Sequence, residues 1–277
     1  MQDIKIIVFD LDGTLYEDVH HFDYYAKKLC EKLDSKYRVS FNQEYQNVLK
    51  GLHPLKFGSV YDVQNDLILT HKNGHVTHAF TWEGEPLSSE EIKNIYKAEL
   101  QFDFHSMLNI GDLWWVPAAI ARHYGIDNHE AEASFRETRE YMMSDEFQMK
   151  EVPGFKEMLK HLSNKKKLVL LTNSPERDSE VIMSKLGFQE YFDKKIFDGR
   201  KPIKTKEHLN KIKEYYQIEF NQILSIGDNA INEIFPAKEF GCQTILIDPH
   251  KISEPSHGDL IVNNLLELVH ALETIEC

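Results

Sequence analysis

The chain has 277 residues, a hydrophobic fraction of 42%, a charged fraction of 28% and a formal net charge of −13. This is the balance of an ordinary soluble globular protein, and its acidity opposes binding to a long nucleic acid polymer, which needs clustered Lys and Arg. No stretch is long and apolar enough to span a bilayer, no basic-then-apolar leader opens the chain, and Cys30, Cys242 and Cys277 form no CxxC pair, so a cytoplasmic protein with no membrane partner is expected.

The first element is the apolar, β-branched run Ile4–Phe9, which reads as a strand buried on both faces, as in a parallel sheet covered by helices. It ends in Asp10-Leu11-Asp12-Gly13, where the glycine lets the backbone turn away. Ligand sites of open α/β sheets lie off the carboxyl ends of the strands. Two carboxylates there can divide the labour: one stays ionised to attack an electrophile, and the other carries a proton for the leaving group and later takes one from water. They also suit Mg²⁺, which favours carboxylates together with substrate phosphate oxygens. The plainer alternative is an Asp-Gly turn closing the strand.

Helical periodicity follows at Phe22, Tyr25, Ala26, Leu29 and Leu33, and again over Asn42–Lys50. The segments Asp66–His71 and His75–Trp82 flank Lys72-Asn73-Gly74, and Asn-Gly between two alternating runs predicts a β-hairpin. A serine cap followed by acids at Ser88-Ser89-Glu90-Glu91 opens a helix expected to run to Gln101. Further helices are predicted over Leu113–Tyr124, closed by Gly125, and over His129–Ser144.

From Val152 the pattern becomes βαβ. Helices at Phe155–Leu162, Arg177–Leu186, Thr205–Tyr216, Ile231–Phe240 and Leu265–Leu272 alternate with strands at Leu168–Leu171, Lys195–Phe197, Ile223–Ile226, Gln243–Ile247 and Leu260–Val262. Such alternation specifies a doubly wound, Rossmann-like parallel sheet. A lone strand at Ile4–Phe9 must join that sheet. The expected organisation is therefore an α/β core made of residues 1–15 and 151–277, interrupted by a mainly helical insert, 16–150, that contains the hairpin.

Three more strand ends carry candidate chemistry. Leu168–Leu171 runs into Thr172-Asn173-Ser174-Pro175, where the Thr172 hydroxyl can donate to a phosphate oxygen; Ser174-Pro175 also reads as an N-cap and first-turn pair. Phe197 leads into Asp198-Gly199-Arg200-Lys201-Pro202-Ile203-Lys204, a source of the fixed cation that a transferring phosphoryl group requires. Ile223–Ile226 ends in Gly227-Asp228-Asn229, with Glu233 close behind, and Asp228 can complete a Mg²⁺ site opposite Asp10.

In this order the four loops resemble those of the haloacid-dehalogenase-type (HAD) hydrolase superfamily. Asp10-Leu11-Asp12-Gly13-Thr14 matches the first motif, Leu171-Thr172-Asn173-Ser174 the second, Lys201-Pro202 the third and Gly227-Asp228 the fourth. The resemblance implies that Asp10 is the phosphoryl-accepting nucleophile and Asp12 the general acid/base. It further implies that Thr172, Asn173 and Lys201 bind the phosphoryl group, and that Asp10, Asp228 and the backbone carbonyl of Asp12 hold Mg²⁺. Lys204 is the alternative third-motif lysine, and Glu233 stands where aspartate is more usual. A dehalogenase would normally lack the second aspartate, so Asp12 points to phosphoryl transfer.

Family members with a helical cap carry it where this insert lies, between motifs one and two. Within it Trp114 and Trp115 could stack a base or sugar and Arg122 could hold an anion, although packing in the insert is the plainer role. Tyr16–His21, directly after the first motif, are expected at the mouth of the site, where substrate contact is favoured. The hairpin over 66–82 reads as a specificity element or a partner surface. The expected activity is hydrolysis of a small soluble phosphate monoester, with a phosphomutase or a non-catalytic phosphate-binding or scaffold protein as alternatives. The sequence carries no signal of oligomeric state.

Overall fold

The structure, a computed structural model, describes residues 3–275 apart from 19, 73, 104, 252 and 254. The chain divides into two compact units, residues 1–18 with 141–277 and residues 19–140, where the sequence places the boundaries at 15 and 150. The opening strand β1 (Ile6–Phe9) is buried at every position, as its unbroken apolar run requires.

The second unit interrupts the first after Asp18. It contains helices α1 (His20–Lys32) and α2 (Arg38–Leu49), strands β2 (Val60–Asp62), β3 (Leu67–Lys72) and β4 (His75–Thr81), helix α3 (Ser89–Ile95), strand β5 (Met107–Asn109), helix α4 (Trp115–His123) and most of helix α5 (Asn128–Met143). β3 and β4 pair antiparallel as the expected hairpin; Asn73, at its turn, lies outside the described residues. The hairpin belongs to a larger element, a four-stranded antiparallel sheet in the order β4-β3-β2-β5. β2 and β5 are three residues each, too short for alternation to announce them, and their pairing with neighbours defines them. One core of this unit gathers Leu29, Phe41, Tyr61, Ile68, Trp82 and Ile120.

α3 keeps its expected start and loses its expected length. Ser88 accepts from the Glu91 amide while the Glu91 carboxylate accepts from Ser88, a reciprocal cap. The helix stops at Ile95 rather than Gln101, because Tyr96 leaves helical geometry and its hydroxyl donates to Asp62 Oδ2 at 2.6 Å. A tertiary bond overrides local propensity there.

The first unit resumes with helix α6 (Phe155–Ser163) and strand β6 (Lys167–Leu171). Next come helix α7 (Glu176–Leu186), strand β7 (Lys194–Ile196), helix α8 (Thr205–Tyr216) and strand β8 (Ile223–Gly227), then helix α9 (Phe235–Glu239), strands β9 (Gln243–Ile247) and β10 (Leu260–Val262), and helix α10 (Leu265–Ile275). All six strands of the unit are parallel, in the order β10-β9-β8-β1-β6-β7. β1 sits where the strand order reverses, the crevice position at which open α/β sheets place ligands. Ile6 and Val8 pack with Leu209 and Ile212 of α8 and Ala237 of α9, giving that face of the sheet its helical cover. The helix expected over Ile231–Phe240 is split into a wide turn, Ala230–Ile234, and α9, which has Pro236 in its first turn. Proline has no N–H to continue an intrahelical ladder across the junction.

Cys30 and Cys242 are buried free thiols, and Cys277 lies outside the described residues. Among the described residues no helix is long and apolar enough to cross a membrane.

Candidate active site

The carboxyl ends of β6, β1 and β8 lie side by side, so residues far apart in sequence converge there. Asp10 follows β1 directly and its amide donates to Ile226 O at 3.1 Å, which sets it level with the end of β8. Thr172 follows β6 and is buried; its Oγ1 accepts from the Ser174 amide at 3.1 Å, leaving its own hydroxyl proton to donate. The loop after β7 runs through left-handed Asp198 and Arg200 and brings Lys201 inward.

Lys201 is 1% exposed, and its Nζ donates to Asp10 Oδ1 at 2.7 Å and Glu233 Oε1 at 2.6 Å. Lys204 instead stands half-buried at the start of α8, so the geometry puts Lys201 in the site. The Asn173 side chain accepts from Lys201 N at 2.6 Å and donates to Lys201 O at 3.0 Å, a two-point clamp on the lysine backbone.

Glu233 is nearly as buried as Lys201, and its other oxygen accepts from Asn229 N at 3.0 Å. The wide turn Ala230–Ile234 folds its side chain back over Gly227, where a Cβ would stand 2.6 Å from Glu233 Cγ. Asp10, Asp228 and Glu233 can each offer an oxygen such that all three lie within 4.8 Å of one another. Glu233, the acid that stands behind Asp228 in the fourth motif, is thus a member of the carboxylate cluster.

The electrostatics follow from this crowding. Burial pushes the Asp10 carboxyl above the usual carboxylate range, with Lys201 pulling against it and Asp12 adding to it. Burial, then Asp10, pushes Glu233 up to about 8, again against Lys201. Burial alone would discharge Lys201, but Asp10 and Glu233 outweigh it and hold its ammonium above the ordinary lysine value. Asp10, Asp228 and Glu233 thus bring hard oxygen donors together, the kind of donor set that fits a divalent cation such as Mg²⁺.

Asp12 has its own pair of partners. Ser174 Oγ donates to Asp12 Oδ2 at 2.5 Å, and the Tyr16 hydroxyl donates to Oδ1. Ser174 therefore does not cap α7, whose N-cap is Pro175 with no side-chain bond. Tyr16 is 1% exposed and so does not stand open at a mouth. His21 is likewise buried, stacked within the second unit against Phe22 and Trp114 at 3.9 and 5.1 Å between ring centroids.

The other insert residues singled out by sequence also serve that unit's interior. Trp114 packs among Phe22, Tyr25 and Phe135, and Trp115 lies against the same core. Arg122 donates to Ile126 O at 2.8 Å, closing the turn after α4.

A model of the haloacid dehalogenase-like hydrolases matches residues 4–241, spanning all four loops. The chain belongs to this family.

No curated protein matches this HAD-like hydrolase in sequence. Its fold is that of solved family structures. A HAD-hydrolase of Bacillus subtilis, YfnB, in a magnesium-bound form, superposes with a TM-score of 0.55 at 15% identity, over 98% of this chain and 99% of that one. A predicted phosphoglycolate phosphatase of Haemophilus somnus gives 0.51 at 17% identity, over 98% and 99%. A dehalogenase gives 0.51 at 13% identity, over 98% of each chain.

The loop after β1 also depends on one glycine. Gly13 has φ +74°, and a Cβ there would stand 2.7 Å from Asp228 Cγ and closer still to its Oδ2. Gly13→Ala should therefore displace Asp228 as well as strain the turn, costing on the order of 1–3 kcal/mol of stability and most of the activity. Chemical denaturation and a hydrolysis assay on the same variant check this; wild-type values in both would show that the loop adapts freely.

Proposed function

We propose that this HAD-like hydrolase is a Mg²⁺-dependent phosphatase that removes phosphate from a small phosphate monoester through an aspartyl-phosphate on Asp10. The observation that carries the reading is a second carboxylate, Asp12, held by two hydroxyl donors two residues beyond a buried, lysine-paired Asp10. Attack by a carboxylate alone would suffice to displace a halide, which needs no proton to depart. An alkoxide leaving group needs one, and Asp12 would supply it.

In the first step an Asp10 oxygen attacks phosphorus, the bond from phosphorus to the ester oxygen breaks, and Asp12 delivers its proton to the departing alcohol. In the second, Asp12 takes a proton from water, the water oxygen attacks phosphorus, and the acyl-phosphate bond breaks to restore the Asp10 carboxylate. Lys201 and the Thr172 hydroxyl hold the phosphoryl oxygens as charge redistributes. Mg²⁺, held by Asp10, Asp228 and the backbone carbonyl of Asp12 with Glu233 beside them, would neutralise charge on those oxygens.

A panel of phosphate monoesters assayed for phosphate release, beside 2-haloacids assayed for halide release, tests the reading. Phosphate release that chelator silences and Mg²⁺ restores is expected; halide release without phosphate release would overturn it. The metal has an independent readout. A ligand present at a hundred times its Kd adds about 2.7 kcal/mol to stability, so Mg²⁺ should raise the melting temperature, and Asp228→Ala should abolish that rise. An unchanged Mg²⁺ response in that variant would remove Asp228 from the metal site.

A further inference from the structure

Tyr16 is the one large polar aromatic of the loop between the catalytic carboxylates and the insert, and it is wholly buried. A buried phenol requires a polar partner, and here the partner is Asp12 Oδ1. The loop geometry delivers it. Gly13 turns the chain in the left-handed region, the amides of Thr14 and Leu15 return to Leu11 O at 3.2 and 2.9 Å, and Asp12 and Tyr16 form an isolated backbone bridge. The ring is thereby folded back over the carboxylate that precedes it by four residues. The chain just beyond is anchored too: Glu17 accepts from the Leu265 amide, and Asp18 from the Lys150 amide at 2.8 Å.

The opposite oxygen of Asp12 is held from the β6 side by Ser174. A carboxylate gripped at both oxygens has its plane and its rotamer fixed, whereas a half-exposed aspartate held at one oxygen could rotate. Proton transfer demands that the carboxyl oxygen point at the leaving group, and small misplacements at such a centre cost large factors in rate.

We propose that Tyr16 is a positioning residue, acting with Ser174 to hold Asp12 in the orientation that protonates the leaving alcohol. The inference rests on the phosphatase reading above and adds to it the residue that orients the acid. It carries a signature that general damage would not produce. kcat/KM reports the steps up to transfer of the phosphoryl group to Asp10, and only a poor leaving group needs Asp12 there. kcat also contains the hydrolysis of the acyl-phosphate, in which Asp12 acts on water whatever the ester was.

The test compares Tyr16→Phe and Ser174→Ala with the wild type on an alkyl phosphate and on p-nitrophenyl phosphate, whose leaving group departs unaided. The alkyl ester should lose about ten- to a hundredfold in kcat/KM in Tyr16→Phe, while the nitrophenyl ester loses little. Ser174→Ala should shift the two esters in the same sense. In an Asp12→Asn background, adding Tyr16→Phe should cost the alkyl ester nothing further. Equal losses on both esters, or a full additional loss in the Asp12→Asn background, overturn the role of Tyr16 while leaving the phosphatase reading standing. Should the wild type release phosphate from no ester of the panel, the phosphatase reading falls and the role falls with it.

Discussion

Asp10→Asn should retain the fold and lose turnover by about a thousandfold or more, the scale seen when a covalent nucleophile is removed. The amide is nearly isosteric with the carboxylate, and its oxygen can still accept from Lys201, whose other bond to Glu233 is untouched. The change also relieves crowding, since Asp10 is one of the three carboxylates within 4.8 Å. Stability in the absence of metal should therefore hold or rise while activity vanishes. That opposite movement separates loss of chemistry from loss of structure. Circular dichroism with chemical denaturation, run beside the phosphate-release assay, checks it; a tenth of wild-type turnover remaining would take the nucleophile's role from Asp10.

Lys201→Met should damage both properties together. Removing one partner of a buried, hydrogen-bonded charge pair costs about 3–5 kcal/mol, because the remaining charges lie uncompensated out of water. Here the remaining partners are Asp10 and Glu233, with Asp228 close by. Activity should drop about a hundred- to a thousandfold as well, the loss expected when one fixed donor to the transferring group disappears. Added Mg²⁺ should recover part of the stability and little of the activity, since a cation can balance the carboxylates but cannot take the lysine's place at the phosphoryl oxygens. Denaturant unfolding with and without Mg²⁺ measures the first effect. A stability loss below about 1 kcal/mol would mean that the carboxylates find other compensation.

The parallel sheet and its four candidate loops were legible because their signals are local. β1 declares itself by an unbroken apolar run, and each loop follows its strand within a few residues. The partners of Asp12 were not legible for the opposite reason. Ser174 lies 162 residues away in sequence, and beside Pro175 it resembles a helix cap; only the pairing of β1 with β6 brings it to Asp12. Tyr16 is near in sequence, but its direction depends on the turn at Gly13. Glu233 needed the wide turn before Pro236 to aim it at Lys201, where ordinary helical spacing would leave its reach undefined. In the insert, β2 and β5 are three-residue strands whose identity comes from neighbours rather than from pattern. Trp114 and Arg122 drew notice by residue type, yet the packing of their own unit accounts for both.

A covalent phosphoryl group on Asp10 can be caught directly. The enzyme is quenched in acid while turning over a phosphate monoester with Mg²⁺ present, digested, and the peptide containing Asp10 is sequenced by mass spectrometry. A phosphoryl group should be found on Asp10, missing in Asp10→Asn and accumulating in Asp12→Asn on an ester with a good leaving group, because the residue that activates water is then gone. An unmodified Asp10 under conditions of active turnover, or a phosphoryl group found on another side chain, would contradict Asp10 as the nucleophile.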